Sequence, residues 1–332
     1  MRLGVTPPVE MTGVAASVEL SVEAEALGYT DVLSSEVGSA DAFSPLAAIA
    51  VRTSRIRLGT ALVPVFTRPP ALLAMSAGSI QALSGGRFVL GIGTSTQPIV
   101  ERWMGLPFER PVERVREYLQ TLRPLLRGEK VSFEGGDVRI QGFRRQAEPG
   151  VDIPVHVGAL GPRMCRLAGG LADGVQFALM TPHGVRSALR DVRTGLQGAG
   201  RDDSGFDVVL RIPIAVDEPH EPVRELARRL LTGYAIVPTY GAALERQGFG
   251  DTTKAVGEAW RAGDRPGAVS LFPDEVVEAF LVHGSADECR ARLDAYREAG
   301  VRTAVLMHLS VAATPAERAR RIADQLKALA PG

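Results

Sequence analysis

The sequence predicts a (β/α)8 barrel, the TIM barrel fold, in which eight parallel strands are surrounded by helices. Short β-branched or apolar runs alternate with amphipathic stretches along the 332 residues. Several runs, such as FVLGIG and VVLRIPIAV, are apolar without alternation, as expected for parallel strands covered on both faces. Eight strand–helix units in a chain of this length favour closure into a barrel over an open sheet.

The predicted elements follow one another in regular order. The strands are Leu3–Thr6, Asp31–Ser34, Ile56–Leu62, Arg87–Gly91, Ile153–Val157, Gly174–Ala178, Val208–Val216 and Thr303–Leu309. The helices are Val14–Leu27, Ala71–Leu83, Glu113–Leu126, Pro162–Leu171, His183–Gln197, Ala286–Ala299 and Pro315–Leu329. The first helix carries apolar residues at intervals of four and stops at Gly28, a typical helix C-terminus.

A single domain over residues 1–332 is expected, because no low-complexity linker divides the chain. Residues 94–113 and 130–149 are additional to the ideal strand–helix unit of a barrel. A mostly helical insertion at about 218–298 precedes the last strand. Insertions of this kind usually lie on the face of the barrel where the loops after the strands bind ligands.

Composition narrows the class of protein. The chain has 38 basic residues (Lys and Arg) and 38 acidic residues (Asp and Glu), so it has no net positive charge that would attract nucleic acid or an anionic membrane. Apolar runs stay well short of the ~20 residues of a membrane span, and the first residues do not resemble a signal peptide. Cys165 and Cys289 stand alone, which indicates a reducing compartment. We therefore expect a cytoplasmic protein that binds a small molecule.

The segment from His156 to Arg163 is the most informative of the strand ends. A strand ends there in small residues, and Pro162 stands where the first turn of a helix accepts proline. The unpaired N–H groups of that helix start, with Gly161 and Arg163 beside them, would form a phosphate seat. A helix start without a ligand would look the same.

Two more strand ends carry small or hydroxylated residues. Gly59 and Thr60 end the third strand, where a planar ring could approach the backbone, and Gly93 and Thr94 follow the fourth. An ordinary strand end or tight turn explains either pattern equally well. The fourth-strand glycines do not form the dinucleotide fingerprint, because no third glycine opens a helix.

Polar candidates for chemistry are few. Glu36 follows the second strand, where a carboxylate could bond a cofactor ring or transfer a proton; a solvated surface residue is the alternative. His183 follows the sixth strand and could face a substrate, with Tyr240 as a further candidate. The sequence contains no metal-binding spacing of histidines and carboxylates and no GxSxG elbow, so we expect neither a metal site nor a hydrolase triad.

The order of these segments resembles the bacterial luciferase-like monooxygenase family. The resemblance lies in RIRLGTALVPVFTRPPALLAMSAGSIQALSGGRFVLGIGT, residues 55–94, and in IPVHVGALGPRMCRLAGGLADGV, residues 153–175. The second segment is most similar to the coenzyme F420-dependent branch, which includes the methylenetetrahydromethanopterin reductases. The resemblance implies the barrel fold and a cofactor at the carboxyl ends of the strands.

The resemblance also implies positions for the cofactor. A bulge with a non-prolyl cis peptide, which supports the deazaflavin ring in the family, would fall at Thr60-Ala61-Leu62. Further contacts match Gly93 and Thr94, and the phosphate loop matches Ala159, Leu160, Gly161 and Arg163. Many F420 enzymes end the second strand with Asp-His, whereas this chain has Glu36 followed by Val37. That difference, with Thr96 at a family glutamate position, makes oxidation of a sugar phosphate doubtful.

The resulting hypothesis is an F420-dependent oxidoreductase that transfers hydride between the deazaflavin and a small organic substrate. Glu36 would set the ring electronics, and Gly161 and Arg163 would hold the phosphate. Two alternatives stay open: an FMN-dependent monooxygenase of the same fold and a barrel that binds flavin without turnover. A barrel lyase is disfavoured, because no lysine ends a strand. By analogy with the family, we expect a homodimer.

Overall fold

The computed structural model describes residues 1–146 and 152–331. Its core is a closed ring of eight parallel strands, labelled β1 to β8 in chain order. They are β1 Arg2–Val5, β2 Asp31–Ser34, β3 Arg57–Thr60, β4 Phe88–Gly93, β5 Val155–Gly158, β6 Gly174–Ala178, β7 Asp207–Val216 and β8 Thr303–His308. Each strand pairs with the next, and β8 pairs with β1, so the predicted barrel is confirmed.

The helices surround this ring or follow β7. The α-helices are Val9–Thr12, Val14–Ala26, Phe43–Ala50, Pro70–Leu83, Pro111–Leu126, Pro162–Leu171, Pro182–Gly198, His220–Ala235, Pro238–Leu244, Gly250–Arg261, Arg265–Ser270, Asp274–Phe280, Ala286–Glu298 and Pro315–Ala328. Two π-helical turns lie at Pro98–Trp103 and Glu245–Phe249. Short strands Val63–Pro64 and Val282–Gly284 extend the barrel sheet.

All eight predicted strands are present, with ends that move by up to two residues. The stretch over residues 130–146 contains an antiparallel hairpin, Lys130–Glu134 with Arg139–Arg144, which the sequence did not indicate. Helix Phe43–Ala50 was also missed, because its nearly uniform apolar sequence has no helical period. Residues 218–298 contain the helices from His220–Ala235 to Ala286–Glu298 and begin directly beyond the carboxyl end of β7.

The lower interior of the barrel is filled by an ion-pair network. Asp207 accepts hydrogen bonds from Arg2 at 2.5 Å, from Arg57 at 2.8 Å and from the Thr303 hydroxyl at 3.0 Å. Asp31 completes the network as a second carboxylate paired with Arg57. Buried charges are tolerated only when they are paired in this way.

Directly above that network lies an apolar layer. Leu33, Val89, Val209 and Val305 come from β2, β4, β7 and β8 and pack together as one buried cluster. Inward-facing side chains typically fill a barrel interior in layers. Since the lower two layers are closed, a ligand can enter only from the carboxyl ends of the strands.

Candidate active site

A cavity of about 960 Å³ opens at the carboxyl ends of the barrel strands. Its wall includes the ends of β2, β3, β4 and β5 and residues of the helical insertion. Seven of the predicted cofactor residues line it: Glu36, Ala61, Thr94, Ala159, Leu160, Gly161 and Arg163. Residues that follow β3, β4 and β5 thus line one cavity.

One wall of the cavity is the chain just after β3. The peptide between Ala61 and Leu62 is cis, at the position that the resemblance implied. The Ala61 N–H donates to the Ser34 carbonyl at 2.7 Å, and the Glu36 N–H donates to the Leu62 carbonyl at 3.3 Å. These bonds hold the segment against β2 and present Ala61 and Leu62 to the cavity.

Two predicted contact residues do not reach the cavity. Thr60 is fully buried, and its hydroxyl donates to the Gly91 carbonyl at 2.7 Å while accepting from the Gly91 N–H at 2.8 Å, so it joins β3 to β4. Gly93 is buried, and a Cβ there would lie 2.6 Å from the Leu62 side chain, so the position has no room for one. These two predictions need correction: Thr60 is a sheet residue, and Gly93 makes room for Leu62 rather than for a ligand.

The predicted phosphate seat lies at the start of helix Pro162–Leu171. Gly161 is its N-cap, and no side chain caps the helix. Pro162 has no N–H, and the next N–H groups of the first turn have no intrahelical acceptor, so they stay available for an anion. The Arg163 side chain is 74% exposed beside them. Arg246, which the sequence analysis did not single out, donates to the Leu160 carbonyl at 3.0 Å and also lines the cavity.

Glu36 is held in an ion pair. Its carboxylate accepts from Arg68 Nη2 at 2.6 Å and from the Ala42 N–H at 3.1 Å, and both partners of the pair are largely buried. Glu36 therefore sits at the cavity wall as a fixed, paired carboxylate. Arg68, which follows the β3 segment, had no sequence signal.

His183 lies elsewhere. It is an exposed residue in the first turn of helix Pro182–Gly198 and is not among the residues that line the cavity. The expectation that it faces a substrate is therefore wrong. Tyr240, the other candidate, does line the cavity. Its ring packs against Tyr234, with 4.7 Å between the ring centroids. Burial raises the pKa of Tyr240 to about 12, so it stays a neutral phenol.

The structure adds two polar residues that sequence reasoning missed. Arg211 on β7 lines the cavity and donates to the Tyr234 hydroxyl at 2.7 Å. Gln176 on β6 also lines it and donates to the Thr60 carbonyl at 2.9 Å. Within the described residues, Gln176 Oε1 and Thr6 Oγ1 are buried polar atoms without a hydrogen-bond partner. A polar residue inside a buried strand is the signal that could have found Arg211 and Gln176.

Two buried histidines and both cysteines are uncharged at pH 7, and one of them, His308, lines the cavity. Burial lowers the pKa of His156 and of His308 to about 4, so each is neutral at pH 7. The thiols are buried and unbridged, and desolvation raises the pKa of Cys165 to about 12 and that of Cys289 to about 11. Neither thiol is the nucleophile that a cysteine mechanism requires.

Comparison with known proteins agrees with this geometry. The profile of the family described as Luciferase-like monooxygenase matches residues 2–303. The chain belongs to this family. One member, the 5,10-methylenetetrahydromethanopterin reductase of Methanolobus tindarius, is 31% identical over 84% of this chain and 85% of its own length. The predicted resemblance is thereby confirmed.

Solved structures of luciferase-like proteins share the fold. The coenzyme F420 dependent tetrahydromethanopterin reductase of Methanopyrus kandleri superposes with a TM-score of 0.80 at 24% identity, covering 97% of this chain and 96% of its own. The oxygenating constituent of 3,6-diketocamphane monooxygenase from Pseudomonas putida, solved with FMN, has a TM-score of 0.70 at 19% identity and covers 100% and 98%. At these identities the likeness concerns the fold alone. Among the described residues, no helix is long and apolar enough to cross a membrane.

Proposed function

We propose that this luciferase-like protein is an F420-dependent oxidoreductase that transfers hydride between the deazaflavin and a small organic substrate. The observation that carries the proposal is the convergence of Ala61–Leu62, Thr94 and residues 158–163 on one cavity of about 960 Å³. The methanogen reductase, at 31% identity over most of both chains, supports the reductase reading. An FMN-dependent monooxygenase is the alternative, since that cofactor occurs on the same fold.

The residues present fit a phosphorylated planar ring. Ala61 and Leu62 offer a flat backbone wall, and the uncapped helix start beside Gly161 offers N–H donors to a phosphate. The buried Gln176 Oε1 and Thr6 Oγ1, without protein partners in the described chain, would be satisfied by donors of a ligand. Cavities that bind cofactors typically combine an apolar wall with a few such polar groups.

Each group would then have a defined task. A bound deazaflavin supplies the hydride chemistry at its C5 position, and the protein supplies position and electrostatics. Arg163 and Arg246 would pair with the phosphate charge. Glu36, fixed by Arg68, would place a negative charge at the β2 side of the cavity. The walls from β1, β7 and the insertion would exclude water from the substrate.

Titration of the purified protein with F420 and with FMN tests the proposal. We expect F420 to bind at least about tenfold more tightly than FMN, which corresponds to about 1.4 kcal/mol. Ligand fluorescence and absorbance report binding of either cofactor. A preference for FMN would instead support the monooxygenase. Tight F420 binding without hydride exchange against a substrate panel would support the flavin-binding barrel.

The phosphate seat allows a separate prediction. Arg163→Ala is expected to weaken F420 binding about five- to tenfold, because a charge-assisted contact to phosphate contributes roughly 1 kcal/mol at an exposed site. Binding of the riboflavin-like deazaflavin that lacks the phosphate should not change. Arg166→Ala is the matched control, since Arg166 lies one turn further along the same helix and pairs with Asp191. Equal losses in both variants, or for both ligands, would contradict the seat.

The homodimer and the cytoplasmic location stay predictions. Helix Pro70–Leu83 exposes Leu72, Met75 and Leu83, at 43%, 46% and 47%, which gives a second copy an apolar surface to cover.

A further inference from the structure

Arg211 occupies an unusual place for a cation. Along β7, Asp207 joins the ion-pair network at the barrel floor, and Val209 joins the apolar layer above it. Since strand side chains alternate, Arg211 is the next residue on this inward face. It lines the cavity directly above the apolar layer. Its guanidinium is therefore inside the mouth of the barrel rather than on the outer surface.

This guanidinium has no direct ion-pair partner within the described part of the chain; the exposed Glu10 at the cavity wall attracts it only at longer range. No carboxylate oxygen of residues 1–146 or 152–331 lies within 4.0 Å of it, and its one side-chain hydrogen bond goes to the neutral Tyr234 hydroxyl. The other arginines of the barrel interior, Arg2 and Arg57, are both paired with Asp207. A guanidinium carries five N–H donors in a planar fork, and a desolvated cation is costly without a partner.

The position of Arg211 on the ring places it opposite the proposed cofactor wall. In an eight-stranded ring, the seventh strand faces the third across the axis, and Ala61 and Leu62 directly follow the third. A flat ring lying on Ala61–Leu62 would have its other face toward β7. The space between that face and Arg211 is the space that a substrate would fill.

The insertion encloses this same region. Tyr234 ends helix His220–Ala235, and Tyr240 lies in the next helix. Their packed rings and the hydrogen bond from Arg211 to the Tyr234 hydroxyl fix the guanidinium against the insertion. The two other charged residues at this side, Glu10 and Arg229, are exposed, and Arg229 pairs with Glu225 at 3.1 Å.

We propose that the substrate carries an oxyanionic group, a carboxylate above all, that pairs with Arg211 between Tyr234 and Tyr240. A carboxylate matches the guanidinium fork in a bidentate pair and provides the direct ion pair that the described residues do not. This inference rests on the proposed function, because the proposed cofactor position decides which side of the cavity is left for the substrate. It names the substrate class that the sequence could not.

Matched neutral and anionic probes test the inference on the full-length protein, with and without F420. Benzoate and benzamide have nearly the same shape and differ in charge, and inorganic phosphate separates carboxylate from phosphate recognition. Calorimetry of probe binding is the readout. For the wild type we expect benzoate to bind at least about tenfold more tightly than benzamide and more tightly than phosphate. Equal binding of benzoate and benzamide, no benzoate binding, or a preference for phosphate would overturn the carboxylate assignment.

Substitutions test whether Arg211 causes the preference for benzoate. Arg211→Met is expected to remove the preference for benzoate while leaving the F420 dissociation constant within about twofold, and Arg211→Lys should retain part of the preference. Arg229→Met, at the rim of the same cavity, is the control that should keep it. Tyr234→Phe should keep the preference at reduced affinity. Circular dichroism and the unfolding midpoint of each variant confirm that it is folded.

The outcomes separate this inference from the proposed function. If Arg211→Met weakens F420 and benzoate equally, Arg211 serves the cofactor and the inference is overturned. If the wild type fails to bind F420 yet shows Arg211-dependent benzoate binding, the proposed cofactor is wrong and the anion site stands. If Arg211→Met and Arg211→Lys both bind benzoate as the wild type does, the inference is overturned whatever the cofactor.

Discussion

Lowering the pH from 7 to 4.5 is expected to reduce the free energy of unfolding by roughly 4 kcal/mol, about 2 kcal/mol for each of two buried histidines. Burial lowers the pKa of His156 and of His308 from 6.5 to about 4 in the folded protein. Below pH 6.5 the unfolded chain therefore binds protons that the folded protein does not. Stability is fully present above pH 6.5 and falls as the pH approaches 4.

Urea unfolding at several pH values between 7 and 4.5 measures this effect. Asp207 contributes little in this window: burial alone would raise its pKa, but nearby His156, Arg57 and Arg2 lower it, so its stabilisation is lost only at more acidic pH. Glutamates held by hydrogen bonds, such as Glu117, begin to add to the loss near pH 4.5. His308→Gln should remove about half of the pH dependence, whatever it does to stability at pH 7. His183→Gln, at an exposed histidine, is the control that should leave the dependence intact. A free energy of unfolding that stays constant down to pH 4.5 would refute the account.

Gly91→Ala is expected to destabilise the protein by about 3 kcal/mol, the upper range for an overpacked core. A Cβ at Gly91 would lie 2.0 Å from the Thr60 carbonyl oxygen and 2.5 Å from Gln176 Nε2. The first of these atoms is backbone, so the new methyl cannot be accommodated by a side-chain rotation. Because Thr60 directly precedes Ala61, the displacement should also weaken cofactor binding.

Thermal and urea unfolding, with F420 titration on the same samples, check both parts of this prediction. Gly257→Ala is the matched control: nothing lies within 4 Å of its Cβ position, and it is inside helix Gly250–Arg261. There the substitution should be neutral or stabilise by about 0.5–1 kcal/mol. If Gly91→Ala retained wild-type stability and cofactor affinity, the tight contact between β3, β4 and β6 would be refuted.

The sequence predicted the barrel because parallel strands are covered on both faces and thus read as unbroken apolar runs. The same property hides the residues that matter inside it. VVLRIPIAV identifies β7 but does not show which alternate residues face inward, and only the floor contacts of Asp207 fix that parity and place Arg211 in the cavity. Arg211 is the one charged residue of this run, and it could have been found by asking whether it falls among the alternate residues that face inward.

Thr60 and Gly93, the predicted contact residues that do not line the cavity, were misplaced for a different reason. Small residues at a strand end were interpreted as room for a ligand, yet the space at Gly93 and at Gly158 is occupied by the Leu62 side chain from the segment after β3. Such a partner is distant in sequence and leaves no local pattern. Tyr234 is similar, because its contact with Arg211 depends on how the insertion folds back over the barrel.

The helical insertion has its own apolar core. Leu231, Leu244, Val256, Phe272 and Val277 are buried together in a cluster separate from that of the barrel helices. Mutations within this separate core thus need not disturb the packing around Ala61 and Leu62, whereas Arg246 must be kept because it donates to the Leu160 carbonyl at the phosphate seat. Exchange of insertion residues other than Arg246 with those of related chains therefore offers a way to change ligand preference while the proposed cofactor site stays intact.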